Sequence, residues 1–90
     1  MSDVQVRTAK PRDKAYRMSD SGGMYLWVTP SGGKLWRWAY TFERKEKLMA
    51  LGRYPEVTLA MARERHLSAR RLLATGVDPM AERKAEKRAE

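Results

Sequence analysis

Between Met24 and Leu51 apolar and polar residues alternate with a period of two, interrupted by clusters of turn-forming residues. That alternation is what strands with one buried and one open face require. It predicts strands over Met24–Thr29, Lys34–Phe42 and Glu46–Leu51, joined through Pro30–Gly33 and Glu43–Lys45 as an antiparallel meander. From Thr58 the period becomes helical: Leu59, Ala62, His66, Ala69 and Leu73 fall on one stripe, with Thr58 as N-cap and Gly76 just past the end. The stripe needs an apolar partner, and the only large one is a sheet face. The pattern therefore predicts an α+β fold with this helix packed across one side of a three-stranded sheet.

The flanks read less regularly. Ser2-Asp3-Val4-Gln5 has the form of a capping box, which predicts a short helix from Asp3 to about Ala9, ended where Pro11 restricts Lys10. Lys10–Lys14 reads as a basic loop. A short edge strand over Ala15–Met18, closed by the turn Ser19-Asp20-Ser21-Gly22-Gly23, is compatible with the pattern but not required by it. Residues 1–77 are thus expected to form one domain. Asp78-Pro79 restarts a helix, and 78–90, charged on nearly every side, is expected to be a linker toward further domains.

Alternation also sorts the sheet into two faces. Met24, Leu26, Val28, Trp36, Trp38, Tyr40, Met49 and Leu51 share one, enough apolar area to receive the helical stripe. Tyr25, Trp27, Thr29, Leu35, Arg37, Ala39, Thr41, Glu46, Leu48 and Ala50 share the other, with Lys34, Arg44, Lys45 and Lys47 assigned to its margins. No second helix is apolar enough to cover that side.

Charge gives the open face a meaning. The 90-residue chain holds 19 Lys plus Arg against 11 Asp plus Glu, a formal charge of +8, which favours polyanionic partners. The excess is concentrated before Tyr54, where eleven basic residues meet five acidic ones, a net of +6. A chain this short has no room for a large active-site cavity. The absence of cysteine excludes disulfides and thiolate chemistry. With a single His there is no metal cluster, no nucleophile has a plausible base, and no cofactor-binding loop precedes a helix, so no enzymatic site is expected. No apolar run reaches membrane length and no signal pattern opens the chain, so a cytoplasmic protein is expected.

These features together predict a sheet that enters a DNA major groove. Arg37 and Thr29, with Thr41 as a second candidate, would reach base edges. Lys10, Arg12, Lys14, Lys34, Arg44, Lys45, Lys47 and Arg53 would hold phosphates, which sets register and not sequence choice. Tyr25 and Trp27 would stack on the ligand or meet protein. Trp36, Trp38 and Tyr40 read as core because they share the aliphatic face, and His66 as a packed neutral imidazole within the stripe. Two other classes fit the same pattern: a double-stranded RNA-binding module, and a protein-interaction domain using Tyr25, Trp27, Leu35 and Leu48.

The residues also match a known family pattern. Lys10-Pro-Arg-Asp-Lys14, Tyr16, Ser19-Asp20 with Gly22-Gly23, Tyr25-Leu26, Val28-Thr29-Pro30-Ser31-Gly32, Lys34, Trp36-Arg37, Leu51-Gly52, Tyr54-Pro55-Glu56-Val57, Ala62-Arg63 and Gly76-Val77-Asp78-Pro79 stand in a fixed order and spacing. In these the chain closely resembles the N-terminal arm-type DNA-binding domain of phage and genomic-island integrases of the tyrosine recombinase class, over essentially its whole length. The resemblance implies binding to arm-type sites that flank an attachment site, in support of DNA integration and excision. It also implies that absent domains bind the core site and cleave DNA through a catalytic tyrosine, a role for none of the four tyrosines here. Other integrase protomers and excision factors are the implied protein partners, and the isolated domain is expected to be monomeric. Ala39 stands where the family commonly has a basic residue and Leu48 where it has a polar one. Arg44 replaces a hairpin glycine, Ser21 a glycine, and Met61 an acidic residue that would complete a capping box with Thr58.

Overall fold

The computed structural model describes residues 1–81. Helix α1 (Asp3–Thr8) is followed by strands β1 (Tyr16–Ser19), β2 (Met24–Val28), β3 (Lys34–Phe42) and β4 (Lys45–Tyr54), and then by helix α2 (Leu59–Ala74). The strands form one antiparallel sheet in the order β1-β2-β3-β4. The optional short strand near Ala15–Met18 forms, as Tyr16–Ser19, and pairs with Tyr25–Val28 of β2, which adds a fourth strand to the three of the meander. Its alternation is short but genuine: Tyr16 and Met18 pack against the core while Arg17 and Ser19 are exposed.

Helix α1 is a six-residue element, too short to persist alone. Three local devices hold it. Gln5 N donates to Ser2 Oγ at 3.3 Å and Ser2 N to Gln5 Oε1 at 2.9 Å, closing the capping box. Val6 is fully buried in the common core. Lys34 Nζ, reaching from β3, donates to the carbonyls of Val6 (2.7 Å) and Arg7 (3.1 Å) at the helix end, the first of which also accepts from Ala9 N at 3.4 Å.

All eight residues assigned by alternation to the core face are buried. They meet Leu59, Ala62, His66 and Ala69 of α2, with Leu73 packed at the margin. Trp36, fully buried, is the largest of them, and its indole N–H is satisfied by the Val57 carbonyl at 2.7 Å. Trp38 stacks on Tyr40 and donates to Gly22 O at 2.9 Å. Helix α2 starts at Thr58, whose hydroxyl accepts from Met61 N. It ends in a Schellman arrangement, with Val77 N donating to Leu72 O and Gly76 N to Leu73 O, Gly76 supplying the left-handed φ of 85°.

One irregularity governs the side of the sheet reached by the end of β4. Trp36 pairs with Gly52 but Arg37 with Ala50, so Leu51 is an extra residue in a β-bulge. The bulge lets β4 run three residues past the expected Leu51 end. Arg65 of α2 donates from Nη1 to Leu51 O at 2.9 Å. Of the linker expected over 78–90, residues 78–81 fall within the described residues, and 79–81 are helical; the remainder lies outside them. Asp78 accepts from Met80 N as an N-cap does.

Candidate nucleic-acid interface

Both helices lie on the core side, since Val6 of α1 and the α2 stripe belong to one cluster. The opposite side is built by strand register. Residues directly opposite in antiparallel strands share a face, so Arg17, Trp27, Leu35 and Arg53 form one row, and Ser19, Tyr25, Arg37 and Ala50 the next. Ala39 with Leu48, then Thr41 with Glu46, extend this side toward the β3–β4 turn. Among the described residues no helix covers these rows. Leu48 is 45% exposed, a large apolar group facing solvent.

Arg53 joins this side only because of the bulge. Uninterrupted alternation from Leu48 and Ala50 would put position 52 here and turn Arg53 toward α2. The extra residue at Leu51 reverses that parity.

The centre of the face is an arginine–aromatic lattice. Arg17 lies opposite Trp27, yet its guanidinium sits over the ring of the diagonal neighbour Tyr25, 4.9 Å from the centroid. Arg37 lies opposite Tyr25, yet its guanidinium sits over Trp27 at 5.2 Å. The two pairs cross above β2. Tyr25 is buried as a result although it belongs to the open side. A guanidinium laid against a ring gains cation–π energy while its edge donors stay available for an anion or a base.

The sequence-predicted residues fall into four groups. Arg37, Thr41, Tyr25, Trp27 and Arg53 are on the open face, with Arg44 and Lys45 exposed at the β3–β4 hairpin end. Lys10, Arg12 and Lys14 are exposed in the loop before β1, where Arg12 sits over the Tyr16 ring at 4.1 Å. Thr29 borders the face, but its hydroxyl organises the β2–β3 loop, accepting from Gly33 N at 2.8 Å and lying 3.1 Å from Ser31 Oγ. Three placements are corrected. Lys45, though exposed at the hairpin tip, pairs with Phe42, which packs against the core, so its strand position is on the helix side. Lys34 pairs with Val28 and Tyr54, and Lys47 with Tyr40, so both stand on the helix side. Lys34 caps α1, as described above, and Lys47 is ion-paired with the buried carboxylate of Asp78.

Arg17 is the residue that the sequence reading missed. The signal was the alternation Tyr16-Arg17-Met18-Ser19, which puts Arg17 beside Trp27 once that segment is paired as a strand.

Several charged groups on the helix side are engaged internally. Burial opposes ionisation of Asp78, but hydrogen bonds from Lys47, the Tyr40 hydroxyl and Met80 N prevail and hold its carboxyl below the ordinary carboxylate value. Arg63 grips Asp20 through Nε (3.0 Å) and Nη2 (2.8 Å). Burial pushes the His66 imidazole below its ordinary value, favouring the neutral ring that sits 3.2 Å from Gly22 O and edge-on to Trp38. Among the described residues no group of three His, Cys, Asp or Glu could hold a metal ion, and no helix is long and apolar enough to cross a membrane.

Comparison with known proteins identifies the family. The chain matches the Arm DNA-binding domain family over residues 1–86. The integrase of Enterobacteria phage P4 is 49% identical over 88 residues, covering 96% of this chain and 20% of that protein. The integrase of Shigella phage Sf6 is 42% identical over 81 residues, covering 90% of this chain and 21% of that protein. Putative protein IntB of Escherichia coli K12 is 55% identical over 64 residues, 71% of this chain and 16% of its own length. The chain spans about a fifth of the length of the two phage integrases. A sheet with one packed and one cationic, aromatic face, matched nearly end to end by that family, makes this chain a member of the Arm DNA-binding domain family.

Proposed function

We propose that this chain binds double-stranded DNA at arm-type attachment sites, as the N-terminal domain of a phage-type integrase acting in the cytoplasm. Its open sheet face enters the major groove. Arg37 and Thr41 approach base edges, while Arg53, Arg44, Lys45 and the Lys10–Lys14 loop hold phosphates. Strand cleavage and core-site binding belong, in this reading, to other domains of a longer tyrosine recombinase. The apolar end at Ala39 and Leu48 is where another protomer or an excision factor would be met.

One observation carries the reading: arginines backed by aromatic rings on a sheet face that no helix among the described residues covers. The test is titration of the 90-residue chain against matched DNA and RNA duplexes at several salt concentrations. DNA is expected to bind more tightly, with a log–log salt slope of about −4 to −6, as four to six phosphate contacts give at roughly −0.9 each. Preference for RNA would identify a double-stranded RNA module, and binding to neither duplex a protein-interaction domain; either result defeats the proposal.

A further inference from the structure

We infer that Arg17 and Arg37 act together as a two-pronged guanine reader, recognising two guanines about two base steps apart in one major groove. The inference rests on the DNA-binding reading above and adds to it a residue, Arg17, and a spacing.

The two arginines start from strands on either side of β2, and their guanidinium groups converge over it. Tyr25 and Trp27 are alternate residues of β2 on the same face, so at a rise of about 3.4 Å per residue they lie roughly 7 Å apart along the strand. Arg17 sits over the first ring and Arg37 over the second. Base pairs in B-DNA rise about 3.4 Å along the helix axis, so two charged forks roughly 7 Å apart span about two base steps. The groove, about 12 Å wide, takes β2 along its length with β1 and β3 toward the two backbones, given strand spacings of about 4.8 Å.

Their place over β2, with β1 and β3 flanking it, favours bases over phosphates at these two positions. A guanidinium held over a ring is steadied there while its N–H edge stays available to an acceptor. That edge matches the paired O6 and N7 acceptors of guanine, the commonest specific major-groove contact. Lysine keeps the charge but has neither the planar fork nor the stacking surface. The guanines can lie on either strand, because both strands present O6 and N7 in the same groove.

The test is selection of bound duplexes from a randomised pool by the 90-residue chain, followed by competition binding with the selected site. Two enriched guanine positions two steps apart are expected. Arg17→Lys should abolish preference at one and Arg37→Lys at the other, each with about tenfold or greater loss of discrimination. Placing 7-deazaguanine, which lacks the N7 acceptor, at either position should weaken the unaltered chain by a similar factor, a readout that does not depend on how well a variant folds. Selection of guanines at another spacing overturns the inference. So does uniform loss of affinity for all duplexes in both lysine variants, which would make the arginines phosphate contacts and leave the DNA-binding reading intact. Failure of the unaltered chain to bind any DNA duplex overturns both.

Discussion

Glu43 and Arg44 occupy the two-residue loop between β3 and β4 with φ of 51° and 65°. Both are in the left-handed region, the geometry of a type I′ hairpin, which suits the right-handed twist of paired strands. For residues other than glycine this conformation costs about 1–2 kcal/mol each. The sequence left the turn type open, because Arg44 stands where a glycine would have announced it. Arg44→Gly should stabilise the fold by up to about 1 kcal/mol, part of the relief being offset by glycine's larger conformational entropy loss. Urea unfolding measures that gain. The same variant removes a cation from the hairpin tip, so its affinity for DNA should fall as its stability rises; a variant that loses both would refute this account of the turn.

At the scale of elements, the strands and α2 were legible because one buried side imposes a strict period on each. The helical stripe and all eight core-face residues could be read directly from it. Three features were legible only in part or not at all. The first strand has only four residues, too few for alternation to stand out from a loop. Lys34 and Lys47 look like any surface lysines until register shows that each belongs to the packed side. The bulge leaves no mark except Gly52, and it decides the direction of Arg53. Gly52 has a φ of 129°, and a Cβ built there would come within 2.4 Å of Val57 Cγ2. Gly52→Ala should therefore cost about 2 kcal/mol or more, through backbone strain added to overpacking. Thermal unfolding gives the size of the loss. Wild-type stability in this variant would show that neither the conformation nor the contact is needed.

Across the whole molecule, Asp78 ties the chain after α2 to the far end of the sheet, accepting from Tyr40 of β3 at 2.6 Å and pairing with Lys47 of β4. Because the folded-state carboxyl titrates below its ordinary value of 3.8, it contributes stability that is present above about pH 4 and lost as pH falls through the folded value. Asp78→Asn should lower stability at neutral pH by about 1–3 kcal/mol, the range for a charged hydrogen-bond partner removed from a buried site. It should also flatten the acid limb of the stability curve, which a series of melts between pH 2 and 7 would reveal. An unchanged acid limb would assign that limb to other carboxylates. The candidate site was legible at this scale as an uncovered cationic face, whereas its crossed ring contacts depend on diagonal packing across three strands.

The contact between Arg65 and the Leu51 carbonyl bears on how copies of this domain tolerate crowding. An outermost strand with free carbonyl and amide groups invites a neighbour to add its own strand, and sheets then fuse. On the β4 border the carbonyl at the bulge already has its donor and the ladder is kinked; on the β1 border only a four-residue strand is offered. Domains brought side by side on adjacent duplex sites can thus stay separate molecules, each free to dissociate on its own.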